Sequence, residues 1–298
     1  MSLFDALVDR ALAGQSDLAP LRAVVEKELL HHDILREMST AGLLAGLTFI
    51  GGTCLRVCYG SNRLSEDLDF AGGQTFRRER LDRLGEVLVR TLEEKYGLVV
   101  SVAAPVKEAG AVDTWRVRVT TRPDRPDLPA QHIHVDVCAV PSYQQHPTVL
   151  RQPFGVDMGT AGLIVQAQSR QEILADKLIA LALRPNRVKH RDLWDIAWLT
   201  QRGLEVPLDL VAAKIVDHRQ TADTYANRLA ARVRQIREDP KMHTAFVAEI
   251  RRFLPVRVVA DTVEKPEFWT YLTELVARES DRVLNYLAGA SPAPHFRM

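Results

Sequence analysis

The chain has 298 residues, of which 46% are apolar and 26% charged, with a formal net charge of +1. That length suits one large or two modest domains, and the composition is that of an ordinary globular protein. The charge balance excludes a broadly basic nucleic-acid-coating surface, no run approaches the ~18 apolar residues of a membrane span, and the start Ser2-Leu3-Phe4-Asp5 lacks the basic-then-apolar order of a signal peptide, so a cytoplasmic protein is expected.

In chain order, Asp17-Leu18-Ala19-Pro20 reads as a helix start, with Pro near the first turn. From Leu21 to about Ala45, Val24, Val25, Leu29, Leu30, Ile34, Leu35 and Met38 fall at helical spacing. Thr53 to Tyr59 fits a short helix opening at a Gly pair, and Arg77 to Lys95 a second amphipathic helix ended by Gly97. Strands are expected at Leu98–Val102, at Trp115–Val119, where apolar and basic residues alternate, and at Gln131–Val140. The Pro-rich segment 122–129 between the last two is of the kind that joins antiparallel strands. Beyond about residue 145 the chain turns helical, with strong periodicity over Gln171–Leu183 and again over Leu193–Leu199, punctuated by Pro207, Pro240, Pro255 and Pro266. Cys54, Cys58 and Cys138 show no metal-ligand spacing and read as reduced, buried thiols.

The most informative stretch is Phe49-Ile50-Gly51-Gly52-Thr53, followed by Arg63-Leu64-Ser65-Glu66-Asp67-Leu68-Asp69-Phe70. Asp67 and Asp69 alternate with Leu68 and Phe70, so on a strand both carboxylates face away from the apolar side. Two like charges side by side repel unless a cation lies between them. Mg²⁺ suits this place, because it is commonly held by one or two carboxylates together with substrate phosphates. Gly51 and Gly52 allow close backbone approach to an anion, and Thr53 adds a hydroxyl. Neither a P-loop nor a dinucleotide-binding Gly-x-Gly-x-x-Gly is present, which excludes those two enzyme classes.

Asp136, between Val135 and Val137, is either a solvent-facing acid on a half-buried strand or a carboxylate joining Asp67 and Asp69. His132 and His134 share its face and are read as solvated or hydrogen-bonded. In the helical half, Asp192 and Asp195 share a helix face and read either as an acidic cluster favoured by the helix N-terminus or, for Asp195, as a partner of Arg191 or Lys189. Arg187, Lys189 and Arg191 lie in a stretch from Arg184 to Arg191 without an acid and form a candidate RNA-binding surface. Trp194, Ile196, Ala197, Trp198 and Leu199 read as core.

Gly51-Gly52-Thr53, Leu55-Arg56, Tyr59-Gly60, Arg63 and Ser65-Glu66-Asp67-Leu68-Asp69-Phe70 closely resemble the AbiEii/AbiGii toxin family of the nucleotidyltransferase superfamily. Relatives often carry Lys before the Gly pair, where this chain has Ile50. The resemblance implies an α+β fold: a polymerase β-like mixed-sheet core with an N-terminal helical segment, spanning residues 1–150, and a helical domain over 151–298 contributing to the active-site cleft. It implies that Asp67, Asp69 and Asp136 hold Mg²⁺, with Mn²⁺ as the alternative, and that Asp136 activates the attacking hydroxyl. It also implies catalytic roles for Lys177 and Asp192, and nucleotide binding by Gly51, Gly52, Thr53, Arg63 and Lys177. The implied activity is transfer of NMP from an NTP to RNA, at the tRNA 3′ end, by the toxin of a toxin–antitoxin or phage-defence pair. An AbiEi-like antitoxin from the same operon would be its partner. Transfer to a protein side chain or small molecule, and a non-catalytic binding module on the same fold, are the competing readings.

Overall fold

The computed structural model describes residues 2–106, 112–125 and 127–289. The chain divides into two compact units, Met1–Gln168 with Phe253–Val256, and Ser169–Arg252 with Arg257–Met298. The first unit runs on to Gln168 because a strand at Ile164–Gln168 pairs with the sheet before the helical segment begins.

The first unit opens with α1 (Leu3–Ala13), whose N-terminus is capped by the Ser2 side chain accepting from the Asp5 N–H. A 3₁₀ turn, Ser16–Leu21, leads into α2 (Arg22–Thr40). The apolar spacing ran on to Ala45, but α2 stops earlier, because Gly42 takes a left-handed conformation and the Leu43 N–H closes on the Met38 carbonyl. Then come β1 (Thr48–Ile50), α3 (Gly51–Val57), β2 (Leu68–Ala71), a 3₁₀ turn at Arg78–Leu81, and α4 (Leu84–Tyr96). Gly97, at φ +64°, ends α4. The remaining strands are β3 (Val99–Ala103), β4 (Val112–Thr120), β5 (Gln131–Cys138), β6 (Gln145–Val149) and β7 (Ile164–Gln168). The Pro-rich segment does join the antiparallel pair β4 and β5, although its Pro126 lies outside the described residues.

Together these strands form a seven-stranded mixed sheet in the order β3-β4-β5-β2-β1-β7-β6. The β2–β5 and β1–β7 pairs are parallel and the others antiparallel. One face is apolar: Leu68 and Phe70 on β2, Ile133, Val135 and Val137 on β5, and Trp115, Val117 and Val119 on β4 are all buried. Helices α2 and α4 pack there against β5 and β3. Full burial of each such aliphatic side chain contributes about 1.5–3 kcal/mol. Of the alternate positions on β4 and β5, on the opposite face, Arg116, Arg118 and His132 are exposed and Thr114, His134 and Asp136 half-buried. The edge strand β6 escaped the sequence reading because it contains Pro147, which an edge tolerates and a central strand does not.

The second unit is helical: α5 (Arg170–Leu183), α6 (His190–Thr200), α7 (Leu208–Asp217), α8 (Ala222–Glu238), α9 (Met242–Ile250), the short α10 (Val256–Val258), a π turn at Val259–Val263, and α11 (Pro266–Leu287). The Ser169 side chain caps α5 by accepting from the Glu172 N–H, and Pro266 opens α11. Helix α5 packs on α6, α7 and α8, and α11 covers α6, α7 and α8. The run Leu193, Trp194, Ile196, Ala197, Trp198 and Leu199 is buried, as expected of core. No helix among the described residues is long and apolar enough to cross a membrane.

Inside this unit Lys214 of α7 is 1% exposed and pairs with Glu172 at 2.7 Å and Asp176 at 2.8 Å on α5. Burial alone would depress its pKa, but Asp176 and Glu172 together raise it above the ordinary lysine value. Removing one partner of a buried ion cluster strands the others. Lys214→Ala is therefore expected to cost about 3–5 kcal/mol of unfolding free energy in urea melts; a loss under about 1 kcal/mol would show that the cluster does not hold α7 on α5.

Candidate active site

The register of β2 against β5 determines the site in the first unit. Leu68 lies beside Val135, Asp69 beside Asp136, and Phe70 beside Val137. Residues opposed across two strands point to the same face. Since Leu68, Phe70, Val135 and Val137 are buried on the helix-covered face, Asp69 and Asp136 stand together on the other. Asp67 continues that row. Its Oδ1 accepts from the His134 N–H at 3.1 Å and lies 3.3 Å from His134 Nδ1. The His134 backbone and ring thus both lie against the same carboxylate.

The Gly pair closes on this row from β1, where Ile50 lies beside Asp69. Gly51 has φ +77°, and a Cβ there would sit 2.6 Å from Asp69 Oδ2. Only a residue without a side chain fits both demands. A Cβ on Gly52 would collide with the Arg63 guanidinium and reach within 3.3 Å of Ser65 Oγ. Arg63 is only 3% exposed and donates from Nη1 to the Leu64 carbonyl at 2.8 Å, so in this structure it braces the turn from beneath. Thr53 is also buried, and its hydroxyl donates to the Asp67 carbonyl, tying α3 to the carboxylate segment. The hydroxyl expected at the phosphate makes that internal bond.

Helix α2 holds the same segment from behind. Glu28 accepts from the Ser65 N–H at 2.9 Å and from Arg56 Nε at 3.1 Å, while Lys27 pairs with Glu66 at 3.1 Å. His31 Nε2 donates to the Glu66 carbonyl at 3.0 Å. Burial lowers the His31 pKa to about 4, so the ring stays neutral. Sequence reasoning missed Lys27, Glu28 and His31. The available signal was charged and polar residues inside the apolar spacing of α2, since a buried Glu must have a partner.

In the second unit, Lys177 of α5 donates to Asp192 Oδ1 at 2.7 Å and lies 2.8 Å from Asp195 Oδ2, both on α6. Arg184 Nη2 bonds Asp192 Oδ2 at 3.0 Å. Asp195 therefore has Lys177 as a partner, a pairing across two helices that the sequence reading did not name. Burial pushes the Asp192 carboxyl up, but Lys177, Lys189 and Arg184 together hold it well below the usual carboxylate range. The expected RNA-binding residues are in different surroundings: Arg187 is exposed, Lys189 half-buried, and Arg191 approaches Glu249 at 3.5 Å.

Among the described residues, no three His, Cys, Asp or Glu side chains come close enough to hold a metal by themselves. Asp67, Asp69 and Asp136 nonetheless offer hard oxygens on one half-buried face. That donor set fits an Mg²⁺-like ion completed by substrate phosphates, not one caged by protein alone. Cys54, Cys58 and Cys138 form no disulfide; the first two are buried as expected, whereas Cys138, at the end of β5, is only half-buried.

A family model described as "Nucleotidyl transferase AbiEii toxin, Type IV TA system" matches residues 33–274. Among solved structures, the chain is similar to MenT4, a nucleotidyltransferase toxin of Mycobacterium tuberculosis H37Rv, at 21% identity and TM-score 0.57, covering 95% of this chain and 98% of that one. A candidate nucleotidyltransferase from H. pylori matches at 17% identity and TM-score 0.48, over 88% of this chain and 97% of that one. JHP933 from Helicobacter pylori matches at 16% identity and TM-score 0.46, over 88% and 94%. No curated protein sequence matches the chain.

Two outcomes follow from this geometry. Gly51→Ala and Gly73→Ala each force a left-handed alanine, at a cost of roughly 1–2 kcal/mol. Only at Gly51 does the new Cβ also meet a carboxylate, whereas Gly73 has nothing within 4 Å. Urea melts should show the larger loss for Gly51→Ala; equal losses would mean that Asp69 does not press on the turn. For Asp192, a depressed folded-state pKa contributes stability above the unfolded value of about 4 and loses it as pH falls below that. The stability gap between wild type and Asp192→Asn should be constant from about pH 5 to 8 and shrink below about pH 4; a gap that widens in acid would reverse the assignment.

Proposed function

The chain belongs to the AbiEii nucleotidyltransferase toxin family of type IV toxin–antitoxin systems, and from that premise we propose that it transfers NMP from an NTP to RNA, at the tRNA 3′ end, in the cytoplasm. The observation that carries the reading is Asp69 directly beside Asp136 on the open face of the sheet, with the Gly51 turn pressed against Asp69. A turn without side chains beside a carboxylate row lets backbone N–H groups approach a triphosphate and its cation. When bound there, Mg²⁺, or Mn²⁺ in its place, would neutralise charge on the phosphates and lower the pKa of an acceptor hydroxyl.

Each residue then has a definite task. Asp67 and Asp69 supply cation ligands, and the bond from the His134 N–H fixes the Asp67 carboxylate beside the middle of β5. Asp136 receives the proton of the attacking hydroxyl. Gly51 and Gly52 let backbone approach the phosphates, while Thr53 and Arg63 keep the turn in place. In the helical unit, Lys177 contacts nucleotide phosphate as a point charge, oriented by Asp192 and Asp195. Arg187 and Lys189 contribute to RNA contact. An AbiEi-like antitoxin would be the partner that restrains the toxin, and phage defence a setting in which it is released.

The test is incubation of pure protein with labelled NTPs, tRNA and Mg²⁺. Wild type should label RNA at its 3′ end, and Asp69→Asn should lower the rate by at least a hundredfold, on the order of 3 kcal/mol or more, while its circular dichroism melt is unchanged. Turnover retained by Asp69→Asn would remove the carboxylate row from the chemistry. Label entering protein and not RNA would move the acceptor to a protein side chain.

A further inference from the structure

On the open face of the sheet the carboxylate row continues into a row of opposite character. In the β4–β5 ladder Thr114 lies beside Asp136, Arg116 beside His134, and Arg118 beside His132. Opposed residues share a face, so Arg116, Arg118, His132 and His134 stand on the face of Asp69 and Asp136. Successive rows are about 6.7 Å apart, two residues of strand rise. Arg116 thus stands about one row from Asp136 and Arg118 about two. Arg116, Arg118 and His132 are exposed. Among the described residues none of the three forms an ion pair or hydrogen bond through its side chain, whereas Arg22, Arg36 and Arg122 in the same unit each pair with acids. On β3, the residues beside Arg118 and Arg116 are Ser101 and Ala103, small and exposed, so nothing bulky hems in the strip.

We infer that this strip, from Arg118 through Arg116 to His134, cradles the sugar–phosphate backbone of the RNA acceptor and leads its 3′ end onto the carboxylate row. The inference rests on the RNA-acceptor reading above and adds the surface that recognises the acceptor. Phosphates are drawn to the arginines and repelled by Asp67, Asp69 and Asp136, so the charge gradient along the face gives the strand a direction. The uncharged 3′-terminal hydroxyl is the one part of the strand that the acidic end admits without repulsion. An acidic peptide carries its charge up to the reacting residue and gains no such direction. Ser101 and His132 can hydrogen-bond ribose hydroxyls, which distinguish RNA from DNA.

The experiment uses the full chain. Binding of fluorescently labelled tRNA is followed by anisotropy over a range of KCl concentrations, for wild type, R116A/R118A and R116K/R118K. Neutralised phosphates contribute about 0.7–0.9 each to the slope of log affinity against log salt. Loss of both arginines should therefore lower the slope by roughly 1.4–1.8 and weaken binding about tenfold near 0.15 M salt. The lysine pair should restore most of both. NTP affinity should not change, and in the transfer assay KM for RNA should rise about tenfold with kcat at saturating RNA kept within about twofold. Wild type that binds tRNA while R116A/R118A binds it equally, with the same slope, overturns the strip and leaves the acceptor reading standing. Wild type that binds no RNA overturns both. Loss of protein labelling in R116A/R118A with tRNA affinity intact would assign the strip to a protein acceptor and overturn the inference as well.

Discussion

The arrangement depends on the register of β2 on β5. In a strand the side-chain period is two, so a slip of one residue would carry Asp69 into the apolar face and expose Phe70. Burial of Leu68, Phe70, Val135 and Val137 on one side is what forbids that slip. The hydrophobic effect thereby fixes the position of the carboxylates from the opposite face of the sheet. Parallel pairing of two strands far apart in sequence makes the device non-local, since α4, β3 and β4 lie between them in the chain.

Polar contacts refine what burial sets. The segment from Ser65 to Asp67 is gripped by Glu28 and His31 of α2 and by Thr53 of α3. Buried groups of this kind add little net stability, but each is costly to leave without its partner, so they select one geometry over its neighbours. The helical unit uses the same strategy at higher charge. Lys177 is fixed between Asp192 and Asp195, and Lys214 between Glu172 and Asp176, both lysines reaching out from or onto α5. A lysine so held loses side-chain freedom in advance, and a phosphate that meets it need not supply that ordering.

Much of this could be read from the chain before any coordinates. The alternation of Asp67, Leu68, Asp69 and Phe70 gave the shared face, and the triplet around Asp136 gave the strand opposite. Helices α4 and α5 and the core role of Trp194 to Leu199 followed from periodicity. What escaped has physical reasons. Strand β6 contains a proline at the sheet edge, and β1 is only Thr48–Ile50, too short for its period to show. The inward direction of Thr53 and Arg63 depends on tertiary neighbours, Asp67 and Gly52, that spacing alone does not reveal. The end of α2 turned on a left-handed Gly42, a local signal outweighed in the sequence reading by the apolar run around it.

The first unit is discontinuous along the chain, since Phe253–Val256 returns to it after the helical segment. That return supplies the Phe253 carbonyl that accepts from the Leu64 N–H at 2.8 Å. Leu64 is fully buried and lies between Arg63 and Ser65, the residues that brace the Gly turn. A buried amide without an acceptor costs about 1–3 kcal/mol. During synthesis at ~5–20 residues per second, several seconds therefore separate the emergence of the sheet from that of its last tie. A growing chain carries its carboxylate row throughout that interval on a turn not yet fully secured, and a chain cut short before Phe253 leaves the Leu64 amide without this acceptor.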